Sequence, residues 1–162
     1  WTTENAELKG MGVNVNGPFE IIHSKSVATP KVDYEKVTFG DVHNSDTKYE
    51  NKAVSFKAWY VKETYAFQDS SKNEYIKGIT PDSHIAIHLR ATPAMKSRSN
   101  TIIAYIEIGT EAEKYFKRKV QSKGGSTDKQ RSSFVVKGVI KKPGGFIHEG
   151  ALVMQVNEMG KK

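Results

Sequence analysis

The chain has 162 residues, enough for one domain with a sizeable core or for one domain plus an arm. Its 37% hydrophobic and 27% charged residues make a soluble globular balance with a polar lean, and no window approaches the roughly 18 apolar residues that span a bilayer. Zero cysteines exclude disulfides, thiolate metal sites and cysteine nucleophiles, and the net charge of +7 is lopsided: residues 1–50 carry 5 Lys/Arg against 8 Asp/Glu, residues 51–162 carry 20 against 10.

Residues 1–33 are the least patterned. "GMGVNVNGP" is rich in Gly and Asn, and "FEIIHSKSV" has room for one short strand before Pro30, so this segment is expected to be an arm or an added edge strand. No signal peptide is visible, and a start at Trp1 leaves a leader or lipid anchor upstream open. A cytoplasmic place is expected for a nucleic-acid binder, an extracytoplasmic one for an anchored module. The main domain is expected over 34–162. It opens with a strand or turn near Val37–Phe39 and a polar Asp41–Asn51 segment holding one helical turn.

The first long strand is "NKAVSFKAWYVKETYAF". Val54, Phe56 and Ala58 alternate with Ser55, Lys57 and Trp59, and then Trp59, Tyr60 and Val61 break the phase. That break predicts a β-bulge at Trp59–Tyr60, which bends the strand. "EYIKGI" and "HIAIHLRA" follow, with Ile85, Ile87 and Leu89 on one face and His84, His88 and Arg90 on the other. "TIIAYIEIG" places Ile102, Ala104 and Ile106 against Ile103, Tyr105 and Glu107. A helix is predicted over 110–122: Thr110 and Glu113 form a capping box, Ala112, Phe116 and Val120 an apolar stripe, and Gly124 a stop. Two strands close the chain, "SFVVKGVIKK" and "GALVMQVNEM", joined by the turn "PGG".

Three strands, a helix and two strands make the order of the five-stranded Greek-key OB-fold barrel, all-β with one helix, closing between its first and last strands. Asp46, Tyr49, Lys52, Val54, Phe56 and Val61 resemble the opening pattern of bacterial OB-fold modules, including those called tRNA-anticodon-like; "VVKGVIKK" and "ALVMQV" are similar to their fourth and fifth strands. The sequence departs from that pattern at two glycine places, with Asn51 and Ala58. The resemblance implies the fold. Such modules include nucleic-acid binders and exported lipoprotein domains, and no catalytic or binding residue comes over with it.

Catalytic and metal chemistry find little support. There is no G-x-S-x-G elbow and no phosphate-cradling glycine loop. A nuclease-type site would need acidic ligands beside arginines, whereas the strands offer Glu107 among Lys, His and Arg. His84 and His88 have H-x-x-x-H spacing, but on a strand they stand roughly 13 Å apart, too far to share a zinc ion. No cofactor, no metal and no enzymatic activity are expected. The informative set faces away from the core: Lys57, Trp59, His88, Arg90 and Tyr105, with Lys137, Lys141 and Lys142 extending a basic rim. Rings interleaved with cations on an OB sheet suit single-stranded nucleic acid, including single-stranded DNA, because bases stack on the rings while cations neutralise phosphates. Two placements of Trp59 and Tyr105 stay open, as platforms for bases or as rings covered by the arm or the helix. Lys114, Lys117, Arg118 and Lys119 read as a solvated helix end. Lys96 and Arg98 lie on a loop that could extend the rim, and Phe146, after the second turn, is either a loop-tip stacking residue or a barrel plug. The other functional class is an exported or envelope module that binds or scaffolds proteins.

Overall fold

The structure, a computed structural model, describes residues 31–45, 47–67, 76–93, 100–121, 132–142 and 152–161. The chain divides into two units, Trp1–Val32 and Asp33–Lys162. The expected arm or edge strand therefore lies almost wholly outside the described residues. The elements of the second unit are β1 (Glu35–Lys36), α1 (Phe39–His43), β2 (Ala53–Thr64), β3 (His84–Arg90), β4 (Ile102–Glu107), α2 (Glu111–Tyr115), β5 (Phe134–Lys141) and β6 (Val153–Gly160).

β2 is the strand on which the barrel turns. Its Ala53–Ala58 half pairs antiparallel with β5, and its Trp59–Thr64 half pairs antiparallel with β3. β3 continues antiparallel to β4, β4 lies parallel to β6, and β6 returns antiparallel to β5. The circuit β2–β3–β4–β6–β5–β2 is a closed five-stranded OB-fold barrel. Closure runs between the first and fourth barrel strands, not the first and last as expected, because β6 is inserted between β4 and β5. The predicted phase break is real but one residue later. Tyr60 opposes Leu89 and Lys62 opposes His88, so Val61 is the extra residue. The described part of "YIKGI", Ile76 to Ile79, is a turn and not a strand, closed by the Ile79 amide on the Ile76 carbonyl at 3.0 Å.

Inward-facing side chains fill the barrel as the period-two pattern requires. Val54, Phe56 and Ala58, Ile87 and Leu89, and Ile102, Ala104 and Ile106 are all buried, joined by Phe134, Val136, Ile140, Met154 and Val156; Ile85 packs at the margin. α2 carries on through a wider π-helical turn, Phe116–Val120, and its stripe Ala112, Phe116 and Val120 is buried against this core. Phe116 meets the Tyr60 ring edge-on at 5.2 Å. Burial of a phenylalanine of this kind contributes about 2–3 kcal/mol. The cap of α2 departs from the reciprocal box. The Thr110 hydroxyl accepts from the Glu113 amide, but the Glu113 carboxylate accepts from the amide of Gly109, one residue earlier than a box would have it.

The start of the domain corrects the sequence reading at Val37–Phe39. β1 is two residues long and parallel to β2, and Phe39 already opens a helix. There the box is complete: Thr38 accepts from the Asp41 amide at 3.1 Å while the Asp41 carboxylate accepts from the Thr38 amide at 2.8 Å. Phe39 is thereby driven under the barrel wall, edge-on to Phe56 at 5.7 Å.

Candidate nucleic-acid interface

Because cross-strand partners share a face, the register assigns the outer surface. One row pairs Trp59 with Arg90, and the next runs Lys62, His88, Ile103, Val153 and Lys141 through β2, β3, β4, β6 and β5. A third runs Thr64, Ala86, Tyr105, Gln155 and Val139. Lys57 stands beside the first row on β2, opposite Val135.

In the third row Ala86 and Tyr105 are shut off from solvent, while Thr64, Gln155 and Val139 are half-buried. Phe67 and Ile79, from the connection between β2 and β3, pack over Ala86, Tyr105 and Val153 as a second small core. Tyr105 is fully buried, its ring 5.6 Å from that of Phe67 and its hydroxyl donating to the Ala66 carbonyl. The expectation that Tyr105 faces outward as a stacking ring is corrected: it is on the outer side of the sheet, but the connection covers it.

Arg90 is also corrected. It occupies the outer face as expected, yet it is only 8% exposed. Its strand partner is Trp59, and its burial reaches the guanidinium, whose Nε is shielded from solvent. Trp59 itself is half-buried, and the Lys57 ammonium lies over its ring, 4.8 Å from the centroid. Lys57 is exposed, so the pair forms an amphipathic plate, a ring with a cation held above it.

His88 is half-buried, with Nδ1 3.3 Å from the Thr101 hydroxyl. Burial, and after it the charges of Lys62 and Arg90, hold its pKa below the ordinary imidazole value, so it is neutral at pH 7. Lys62, directly opposite, is exposed. The sequence reading passed over Lys62 because a bulge placed one residue early leaves its side unassigned; the Lys62–Thr64 stretch read backward from β3 would have found it. His84, at the other end of β3, is buried, with Nδ1 2.7 Å from the Ser83 hydroxyl and its pKa lowered by burial.

The rim lysines are divided. Lys137 sits opposite Ser55, paired to the Glu158 carboxylate at 2.7 Å and lying 5.5 Å from the Tyr34 ring centroid, so its charge is locally matched. Lys141 donates to the Asn51 side-chain oxygen at 3.4 Å, and Lys142 is exposed just beyond β5. On α2, Lys114 pairs with Glu111 at 2.5 Å and Lys117 with Glu113 at 2.6 Å, consistent with a solvated helix end. Lys96, Arg98, Phe146 and Gly124 lie outside the described residues. What the outer face brings together is thus Lys57, Trp59, Lys62 and His88, with Arg90 beneath them. Among the described residues no three His, Asp or Glu side chains converge in a way that could hold a metal ion, and no helix is long and apolar enough to cross a membrane.

No protein-family model matches the chain, and no curated protein matches it. Among solved structures it is similar to the Entamoeba histolytica asparaginyl-tRNA synthetase, with 19% identity and a TM-score of 0.43 over 82% of this chain and 24% of that one. It is similar also to a protein named as an aspartyl-tRNA synthetase from Leishmania major Friedlin, with 13% identity and a TM-score of 0.46 over 98% of this chain and 26% of that one. The chain spans about a quarter of the length of each of these two solved chains.

Proposed function

We propose that residues 34–162 are a non-enzymatic OB-fold module that binds single-stranded nucleic acid across the outer face of β2 and β3, with residues 1–33 as an arm. The observation that carries the reading is the Lys57–Trp59 plate set beside Lys62 and His88 on one continuous face. Stacking gives sequence-tolerant affinity, and the lysines neutralise phosphates. Arg90 adds positive potential from below, while Lys141 and Lys142 extend the row toward the far side of the barrel. Lys137 is left out, since Glu158 already matches it.

The test is a titration of the full chain with mixed-sequence single strands of DNA and of RNA, followed by tryptophan fluorescence at several salt concentrations. Binding should quench or shift emission and weaken steeply as salt rises. Absence of any salt-dependent binding to either strand type overturns the proposal.

A further inference from the structure

We infer that Tyr65, the first residue after β2, is a second base-stacking residue; the inference rests on the reading just proposed. Tyr65 is 91% exposed, the most exposed of the large hydrophobic side chains among the described residues. An isolated surface ring needs no explanation by itself. The backbone that presents this one does. The Ala66 carbonyl, next in sequence, accepts from the buried Tyr105 hydroxyl, and Phe67 is buried against the Tyr105 ring. The Phe67 amide also turns back to the Tyr65 carbonyl at 2.9 Å. Two consecutive residues are therefore tied down into the second core, and the ring just before them is left standing in water on a fixed support. A ring held this way loses little freedom on binding, which is the condition for an efficient platform.

The surroundings fit a polyanion. Lys62 is exposed three residues earlier on the strand, and Lys77 is exposed in the turn whose flanking Ile76 and Ile79 pack with Phe67. Glu63 lies opposite Ile87, on the inward side, and accepts from the Gln121 amide, away from the outer row. Tyr105, the ring that the alternation alone points to, acts here as the anchor, and Tyr65 as the ring offered to a ligand.

The experiment uses the full chain with Tyr65→Ala, Tyr65→Phe and Lys62→Gln, a fluorescein-labelled mixed-sequence 12-nucleotide DNA strand, its RNA counterpart, and thermal melts. Tyr65→Ala should weaken binding by about 5- to 150-fold, the effect of losing one stacked base. Tyr65→Phe should bind like the wild type, and both variants should melt with it, because so exposed a ring supports no core. If the wild type binds and Lys62→Gln weakens it while Tyr65→Ala does not, this inference falls and the proposed function stands. Equal losses in Tyr65→Phe and Tyr65→Ala would show that the hydroxyl, not the ring face, makes the contact, which also overturns stacking. No binding by the wild type overturns both.

Discussion

Lys62→Gln separates charge on the proposed face from stability better than any change at Trp59. Trp59 is half-buried, so its truncation mixes lost binding with lost packing. An aromatic of this size buries about 150–250 Å² when enclosed, and removing something over half of that costs about 3 kcal/mol at 25 cal/mol per Å². Lys62 has no such coupling. It is exposed, its strand partner is the neutral His88, and substitution there should leave stability within about 0.5 kcal/mol. On a single strand each phosphate contact contributes about 0.7 to the slope of log affinity against log salt. Loss of Lys62 should make that slope shallower by about 0.7, which is about fivefold in affinity at 0.1 M salt. Anisotropy titrations at four salt concentrations measure it, with Lys119→Gln on α2 as the control that should change nothing. A slope unchanged in Lys62→Gln but reduced in Lys119→Gln would move the polyanion contact to the helix and refute the assignment of the face.

Three further outcomes test the fold. Gly138→Ala should lower the melting temperature by roughly 10 °C, about 3 kcal/mol in a domain of this size, because a Cβ there would lie 2.1 Å from the Gln155 carbonyl oxygen and 3.0 Å from the Val156 Cα, both backbone atoms of the adjacent strand. Asn51 has φ of 60°, a left-handed conformation; in chemical denaturation Asn51→Gly should be neutral or stabilising and Asn51→Val should lose about 1–2 kcal/mol. His84 and His88 have folded pKa values lowered by burial, so the unfolded chain takes up protons first as pH falls. Stability should be level above about pH 6.5, the ordinary imidazole value, and decline from there toward the lower folded values. Urea melts between pH 7.5 and 5.5 measure this, and His88→Gln should flatten the decline. Stability that rises on acidification through that window contradicts the burial of both rings.

The sequence disclosed faces but not coverings. Alternation in "HIAIHLRA" and "TIIAYIEIG" assigns Ile87, Leu89, Ile102, Ala104 and Ile106 to the core because period two is a local property of a strand. The stripe Ala112, Phe116 and Val120 is local in the same way. Tyr105 is on the predicted side of its strand, yet its burial depends on Phe67, 38 residues earlier, and on Ile79, both in a connection with no periodicity to read. Likewise, Lys137 looks like an available cation until the β5–β6 register brings Glu158 opposite it. The glycine place taken by Asn51 was legible as a departure from a pattern. Its reason, a left-handed backbone whose amide donates to the Ile140 carbonyl at 2.7 Å, appears only when the barrel is closed.

The bulge joins these observations into one mechanism. β2 leaves β5 after Ala58 and pairs with β3 from Trp59 onward, with Lys57 and Trp59 turned outward; past the bulge Lys62 is outward again although it is an odd number of residues from Trp59. Were Val61 taken up in a regular, unbulged strand, Trp59 and Lys62 would fall on opposite sides of the sheet, since side chains alternate strictly. Tyr60, the last residue before the bulge, continues the inward series of Val54, Phe56 and Ala58 and meets Phe116 edge-on, so the helix packs where the strand bends. A single inserted residue thus supplies the curvature that closes the barrel and the phase that gathers ring and cations onto one face. That is why the break in alternation at Trp59–Val61 is at once the clearest mark of the fold in the sequence and the position around which the candidate site is built.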